Sequence, residues 1–291
     1  MDIKSISISK KIQIPLIASI VIGFLIILVN YLYSIEELTD DVYTKEKNSL
    51  KTTYSELMVA KRDIGLTNAI NIANDYSVVR ALLEDNRAIA IEGLKTLSQK
   101  FKKYTRYKNI KVHIHDANLH SFLRAWKPDK YGDDLRSFRN TIVAVKRDKK
   151  PLVAVELGRA GLVLRGLAPV LDKGTYLGSV EFMQGLNSIV KSARKSNGYE
   201  IVIVMKNEFL PIATRLQNAP RIGAYTLAVK KDVINPDFLH DLKNIKIDKV
   251  DNFQITERYF IVSEPIEDFS GKVIAYALVG DKIENVNSVM S

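Results

Sequence analysis

The chain of 291 residues contains no cysteine. This absence excludes disulfide bridges, thiolate metal sites and a cysteine nucleophile. Because exported bacterial domains can fold without disulfides, the absence does not decide the compartment. Long apolar runs are also scarce, since only one extends to about 20 residues. The sequence therefore predicts at most one membrane-spanning helix.

The overall composition is that of a folded protein. Hydrophobic residues make up 46% and charged residues 26% of a chain long enough for one large domain or two smaller ones. The formal net charge is +10, but the basic residues are spread along the sequence without a dense cluster. We therefore expect no nucleic-acid partner, and a basic surface compatible with anionic lipid headgroups or anionic ligands.

The apolar run lies at residues 12–32 and has only three clearly polar residues. Lysines precede it and acidic residues follow it, which predicts a cytoplasmic N-terminus. The alternative is a cleaved signal peptide, but the run is too long for one and no small-residue cleavage site follows. We predict a cytoplasmic tip at 1–11 and an uncleaved transmembrane helix at 12–33, with the remainder of the chain outside the cytoplasm.

Helical spacing of apolar residues continues beyond the membrane segment. Residues 35–76 contain no proline and one glycine, Gly65, which predicts a long helix continuous with the membrane helix. Such a helix can hold a domain away from the bilayer and form a dimer seam; the alternative is a core helix of a compact domain. Further helices are predicted at 78–85, capped by Ser77, and at 87–104. We treat 34–108 as a helical stalk.

Alternating patterns begin near residue 109 and occur twice. Strands are predicted at 111–115, 119–126, 152–157, 162–171 and 176–183, with a short helix at 135–146. After a helix at 185–196, a second set follows: a hairpin around residues 206–208, strands at 225–229, 258–263 and 272–280, and a helix at 236–245. Both sets end with strand, turn, strand and helix. The sequence thus predicts two α+β modules with antiparallel sheets, at 109–184 and 185–281, and the start of another helix at 282–291.

One stretch combines large rings and fixed charges. Residues 121–139 read SFLRAWKPDKYGDDLRSFR and include the single tryptophan, Trp126. Rings can form the walls of a pocket, and paired charges can orient a small polar ligand.

These features resemble the double Cache sensor region of bacterial transmembrane receptors. The resemblance covers nearly the whole chain and is most specific at SFLRAWKPDKYGDDLRSFR, ELGRAGL (156–162) and LGSVEF (177–182). It is closest to methyl-accepting chemotaxis proteins and related kinases and diguanylate cyclases. It implies a bacterial inner-membrane protein whose sensor part is periplasmic, with two tandem PAS-like Cache modules, the first distal from the membrane, and a homodimer. Such receptors carry a second membrane span and an output module after the sensor, so we expect this chain to be cut before that span.

The resemblance also implies a ligand pocket between the first sheet and the loop and helix that cross it. Arginine binds carboxylates in a fork, while tyrosine and tryptophan supply a hydroxyl and a wall. Acidic residues there can receive an ammonium group or pair with the arginines, so the same residues could instead only stabilise the loop. We expect a small organic anion first and an amino acid second. The candidate residues are Arg124, Trp126, Lys127, Tyr131, Asp133, Arg139, Glu156, Arg159 and Arg165.

Three histidines raise the question of a metal site. His113 and His115 share one strand face, and His120 follows across a turn. With no cysteine, and Asp116 as the one acidic neighbour, we expect a surface strand and no metal. The glycines at 158–166 lack the spacing of a phosphate loop, and no catalytic constellation is evident, so we predict no enzymatic activity and no cofactor. An anchored exported enzyme or an adaptor is the less favoured alternative to a sensor.

Overall fold

The computed structural model describes residues 8–105, 111–249 and 252–290. Predictions for the first seven residues and for the segment 106–110 lie outside this part of the chain.

A single helix, α1 (Ile8–Ala73), connects the apolar segment to the folded modules. Its 66 residues correspond to about 100 Å at 1.5 Å per residue. The predicted continuity between the apolar segment and the helix that follows it is confirmed. Among the described helices, α1 alone is long and apolar enough to cross a membrane, and the side chains of that apolar stretch are exposed. Its N-terminal part therefore fits a membrane span.

Two shorter helices follow the long one. Helix α2 (Tyr76–Leu83) begins after Asp75, whose carboxylate accepts a hydrogen bond from the Ser77 backbone N–H at 2.9 Å. The prediction of Ser77 as the cap is wrong, because the aspartate two residues earlier takes that role. Helix α3 (Arg87–Tyr104) has the predicted bounds.

The first module contains a five-stranded antiparallel sheet. Its strands have the order β2-β1-β5-β4-β3. The predicted helix at 135–146 begins later, at residue 140, because His120 and Asp134 form an isolated β-bridge and Leu135 is buried. The elements are β1 (Lys111–Asp116), β2 (Ser121–Arg124), α4 (Asn140–Asp148), β3 (Leu152–Gly158), β4 (Gly161–Asp172) and β5 (Thr175–Gln184).

The second module contains a six-stranded antiparallel sheet of order β7-β8-β6-β11-β10-β9. The predicted hairpin around 206–208 is wrong, since Asn207–Phe209 forms a 3₁₀ turn. The elements are α5 (Asn187–Asn197), β6 (Glu200–Lys206), β7 (Arg221–Ile222), β8 (Tyr225–Leu227), α6 (Pro236–Asp241), β9 (Phe253–Ile255), β10 (Tyr259–Glu267), β11 (Val273–Lys282) and α7 (Ile283–Ser288).

The two sheets repeat one topology. In each, the first strand of the module pairs with the last strand, which pairs with the strand before it: β1-β5-β4 and β6-β11-β10. The repetition inferred from the sequence is therefore present in the strand order, and the α+β fold with two tandem antiparallel-sheet modules is confirmed.

Helix α1 packs against both modules. Leu50, Tyr54 and Met58 belong to a core that includes the second sheet, whereas Ala69 and Ile72 belong to the core of the first. Gly65 lies against Gly166 of β4: a Cβ atom on Gly166 would lie 2.1 Å from the Gly65 carbonyl oxygen. This close backbone approach fixes the first sheet on the helix.

A polar cluster on the outer face of the first sheet

The two faces of the first sheet differ in chemistry. Successive side chains of a strand point to opposite faces, so the alternation in β1 and β5 separates apolar from polar residues. The inner face packs on α1, α2 and α3 with buried apolar residues such as Ile114, Val180 and Phe182. The outer face carries His113, His115, Ser179, Glu181 and Arg165, all buried. It is covered by α4, whose Ile142 and Val145 pack on Leu167.

Glu181 lies at the centre of this outer face and is fully buried. Its Oε1 accepts hydrogen bonds from Arg139 Nη2 at 2.8 Å and from Arg165 Nη1. Glu156 Oε2 lies 3.2 Å from the Nε atoms of both arginines. Two carboxylates and two guanidinium groups thus form a buried network in which the charges cancel.

The network fixes the protonation state of Glu181. Burial alone would raise its pKa, but the positive charges of Arg139 and Arg165 hold the pKa well below its ordinary value. Glu181 is therefore an anion throughout the physiological range.

The two histidines are held by serines. The Nε2 atom of His113 lies 2.8 Å from Ser121 Oγ, and the Nδ1 atom of His115 lies 2.9 Å from Ser179 Oγ. Burial, with smaller contributions from neighbouring charges, lowers the pKa of His113 to about 3 and also lowers that of His115. Both imidazoles are therefore neutral near pH 7. The expectation of histidines on a surface strand is wrong for these two, since each is buried.

The loop 125–139 forms the outer edge of this polar cluster. Arg124 pairs with Asp133 at 2.6 Å and donates to the Lys130 carbonyl oxygen at 2.8 Å. The Trp126 ring meets the His113 ring edge-on, with 5.8 Å between centroids, and remains 40% exposed. This edge joins the buried network to solvent.

Helix α3 holds the same loop from the other side. The Arg87 guanidinium stacks 3.4 Å from the centre of the Tyr131 ring. It also donates to the carbonyl oxygens of Phe122, at 2.8 Å, and Pro128. The loop is therefore fixed at several points.

The nine predicted site residues fall into three groups. Arg139, Glu156 and Arg165 belong to the buried network, and Arg124, Trp126 and Asp133 lie at its outer edge. Lys127 and Tyr131 are exposed in the loop, and Arg159 is exposed in the turn between β3 and β4. There, the Arg159 carbonyl oxygen accepts a hydrogen bond from the backbone N–H of Arg215 of the second module at 2.9 Å.

Sequence reasoning missed Glu181, the residue on which both arginines converge. The sequence pattern could have identified Glu181, because Ser179 and Glu181 alternate with buried apolar residues along β5. Together with His113 and His115 it forms a group whose potential ligand atoms lie within 4.8 Å of one another, and which could hold a metal ion.

A separate cavity lies on the opposite face of the sheet. It has a volume of about 320 Å³ between α3 and strands β1 and β2, and its floor includes Leu94, Val112 and Leu123. Lys95 and Lys102 are among its lining residues. The sheet lies between this cavity and the buried network, and the cavity lining includes Ala125 and Pro128 of the loop 125–139.

Comparison with known proteins places this arrangement in a family. Residues 43–286 match dCache_3, described as "Double sensory domain of two-component sensor kinase". No curated protein matches the chain in sequence.

Several solved structures are similar to this chain. One is the domain of a putative sensory box/GGDEF family protein from Vibrio parahaemolyticus, with 15% identity, a TM-score of 0.50, and coverage of 86% of this chain and 99% of that one. Another is the sensor domain of the V. cholerae histidine kinase DctB, with 12% identity, a TM-score of 0.49 and coverage of 84% and 98%.

A chemoreceptor is also similar. The ligand-binding domain of CtaA from Pseudomonas fluorescens, solved in complex with L-isoleucine, has 11% identity, a TM-score of 0.45 and coverage of 87% and 98%. At these identities the likeness concerns the fold alone. The family match extends over most of the chain, and the protein therefore belongs to the dCache_3 family of double sensory domains.

Proposed function

We propose that this chain is the extracytoplasmic ligand-binding region of a bacterial transmembrane receptor, in the first place a chemoreceptor. The sensor of a histidine kinase or of a diguanylate cyclase is the alternative, because the family and its structural neighbours include such proteins. The proposal contains no catalytic step.

The observation that carries the proposal is the polar outer face of the first sheet. A protein rarely buries five ionisable side chains around one carboxylate, as here around Glu181, unless they serve a function, because each must be desolvated and paired. Here the cluster reaches the surface at Arg124, Trp126 and Asp133, where a ring and paired charges adjoin solvent. A small ligand can enter at this edge by displacing one partner of an exposed ion pair.

The ligand we propose is a small organic anion. Arg124 is more accessible than Arg139 and Arg165, and it can exchange the Asp133 carboxylate for a ligand carboxylate. Lys127 adds positive charge, and Trp126 and Tyr131 offer ring faces. Deeper, the pairing of Arg139 and Arg165 with two glutamates keeps those arginines in place behind the entry.

An amino acid is the second candidate, and the Arg124–Asp133 pair favours it specifically. A zwitterion brings one carboxylate and one ammonium group, so it can replace both halves of the pair without leaving either charge uncompensated.

The proposed setting is the bacterial inner membrane. The apolar start of α1 would span the bilayer with the N-terminus in the cytoplasm, and the first module would be the membrane-distal one. We further propose a homodimer that associates along the stalk part of α1.

Trp126 provides a direct test, because it is the single tryptophan of the chain. The full-length chain in detergent is titrated with short mono- and dicarboxylates and, separately, with the common amino acids, all in EDTA. Binding should change the Trp126 emission and raise the Tm. The Arg124→Ala variant should lose both responses while remaining folded by circular dichroism.

Arg147→Ala is the matched control, because Arg147 makes an exposed ion pair with Asp148 on α4. It should respond like the wild type. Responses that persist unchanged in Arg124→Ala would remove the outer edge from the site, and the absence of any response to both compound sets would contradict the proposed ligand classes.

A further inference from the structure

Two imidazole nitrogens converge on one oxygen of Glu181. His113 Nδ1 lies 3.4 Å and His115 Nε2 lies 3.6 Å from Glu181 Oε2. These separations are long for hydrogen bonds. They are close to the spacing between two ligand atoms of one ion, since metal bonds of about 2.0–2.2 Å at tetrahedral angles place neighbouring ligands about 3.3–3.6 Å apart.

Two of the three converging atoms lack a hydrogen-bond partner in the described part of the chain. Among the described residues, Glu181 Oε2 and His115 Nε2 are buried side-chain atoms without a hydrogen-bond partner. Both side chains are fully buried. Leaving such groups unsatisfied in a protein interior is unfavourable, because neither water nor protein replaces the lost hydrogen bonds. A cation between them would satisfy both.

The serines direct the imidazoles toward this point. Ser121 engages the far nitrogen of His113, and Ser179 the far nitrogen of His115. When each serine oxygen accepts an N–H, the near nitrogens present lone pairs to the carboxylate. In that tautomer two lone pairs and an anion face one another, and a cation between them would remove their repulsion. Such outer partners of metal-binding histidines fix their orientation and tautomer.

The arginines occupy the other side of the carboxylate. Arg139 and Arg165 bind Oε1, which leaves Oε2 directed at the histidines. Ligating carboxylates are commonly hydrogen-bonded in this way. The guanidinium groups would repel a cation, but Glu156 and Glu181 already balance both of them. The cation's own charge would be met by hydroxide or an anion at its remaining coordination positions.

We propose that His113 Nδ1, His115 Nε2 and Glu181 Oε2 bind one first-row divalent transition-metal ion. Two imidazoles and one carboxylate match the ligand preference of Zn²⁺ and its neighbours, not of Mg²⁺ or Ca²⁺, which prefer oxygen ligands. Three protein ligands leave at least one position open. The site lies on the same sheet face as the proposed sensory site but does not depend on an organic ligand.

The test uses the full-length chain in detergent, purified with a tag that contains no histidine and stripped with EDTA. Co²⁺ is the probe because its d–d absorption reports coordination. We expect one equivalent of Co²⁺ to produce a visible spectrum and a higher Tm, and Zn²⁺ to abolish the spectrum. Mg²⁺ and Ca²⁺ should do neither.

Variants assign the ligands. His115→Ala should abolish the Co²⁺ spectrum. Ser179→Ala retains all three ligands and should weaken Co²⁺ binding about 10–100-fold, which tests the site even if His115→Ala does not fold. His120→Ala and His240→Ala change histidines outside the cluster and should bind like the wild type.

The proposal is overturned if the wild-type chain takes up no Co²⁺, or if uptake is unchanged in Ser179→Ala. Loss of the spectrum in His120→Ala would equally overturn it, because His120 pairs with Asp116 at the surface. Since metal uptake is measured without organic ligand and the Trp126 titrations contain EDTA, either proposal can fail without the other.

Discussion

Glu181 and Glu156 each contact the same two guanidinium groups, so the buried charge of the outer sheet face is compensated within the protein. Elsewhere, charged residues such as Arg136 and Asp134 pair at the surface, where water screens their attraction. Only the buried pairs therefore fix side-chain positions strongly.

A second carboxyl group, Glu46 on α1, is perturbed in the opposite direction to Glu181. Burial, and then the negative charge of Asp281, raise its pKa from 4.5 to about 7. Its Oε1 is buried without a hydrogen-bond partner among the described residues. Tyr199 lies nearby, its hydroxyl 2.9 Å from Ser49 Oγ.

This raised pKa predicts a pH-dependent stability. The folded chain binds a proton at Glu46 that the unfolded chain has released, so wild-type stability decreases as the pH rises from about 4.5 through about 7. Glu46→Gln lacks this loss. After discounting for partial exposure, we expect the variant to be more stable than the wild type by about 1 kcal/mol at pH 8, and equally stable near pH 4.

Urea unfolding across this pH range measures the difference. Glu56→Gln is the control, because Glu56 is exposed on the same helix; its pH profile should follow the wild type. A Glu46→Gln profile parallel to that of the wild type would contradict the prediction.

At the residue level, sequence reasoning found most of the cluster but not its centre. Alternation in β1 placed His113 and His115 on one face, and the composition of residues 121–139 identified Arg124 and Arg139. The pairing of Arg139 with Glu181 joins residues 42 positions apart. Strand periodicity specifies a face, but the partner across the sheet depends on strand order and register, which local patterns do not contain.

Among the elements, α1 and β4 approach each other closely at the level of the backbone. A Cβ on Gly166 would lie 2.1 Å from the carbonyl oxygen and 2.7 Å from the next backbone nitrogen of α1. Backbone atoms in a helix cannot move aside independently, so this contact admits only glycine.

Gly166→Ala should therefore destabilise the protein by about 1–3 kcal/mol through overpacking. Thermal and urea unfolding measure the change. Gly185→Ala serves as the control, because a Cβ there would meet nothing within 4 Å. Equal stabilities of the two variants would show that α1 separates from β4 at little cost.

The bounds of an element could be predicted where capping residues and terminal charges mark the ends of its periodic pattern. Helix α3 begins and ends as predicted, because Asn86 caps it and basic residues occupy its last turn. Helix α4 does not, because Leu135 fits the helical pattern yet is buried in the loop beneath the sheet face. Tertiary packing decided that boundary.

For the whole molecule, the cores of the two modules are joined by shared residues. Val155, Leu162 and Leu164 belong to the first sheet, yet they pack in the core that contains the second sheet and the middle of α1. Such sharing couples the modules energetically, since neither can unfold without exposing part of the other's core.

We therefore expect the chain in detergent to unfold in a single transition. Trp126 emission reports on the first module, and far-UV circular dichroism reports on both, so the midpoints of the two signals should coincide. Leu164→Ala leaves a cavity at a fully buried position and should lower the free energy of unfolding by about 2–5 kcal/mol. The midpoints of both signals should decrease together.

Leu171→Ala is the control, because Leu171 is partly exposed at the end of β4; it should change both midpoints little. Midpoints that separate in Leu164→Ala would show that the modules unfold independently.

The uninterrupted helix α1 also determines the rotation of the apolar segment about the helix axis relative to the two sheets. The apolar segment ends near residue 33, and the first core contact of the helix is Val42, so only a few residues separate them. Each residue added between them would turn the apolar segment by about 100° and shift it by about 1.5 Å relative to both sheets. Seven added residues would nearly restore the original orientation, with an offset of about 20°. The packing of Val42, Leu50 and Tyr54 therefore determines which side of the apolar segment can face a neighbouring helix, because one continuous helix connects them.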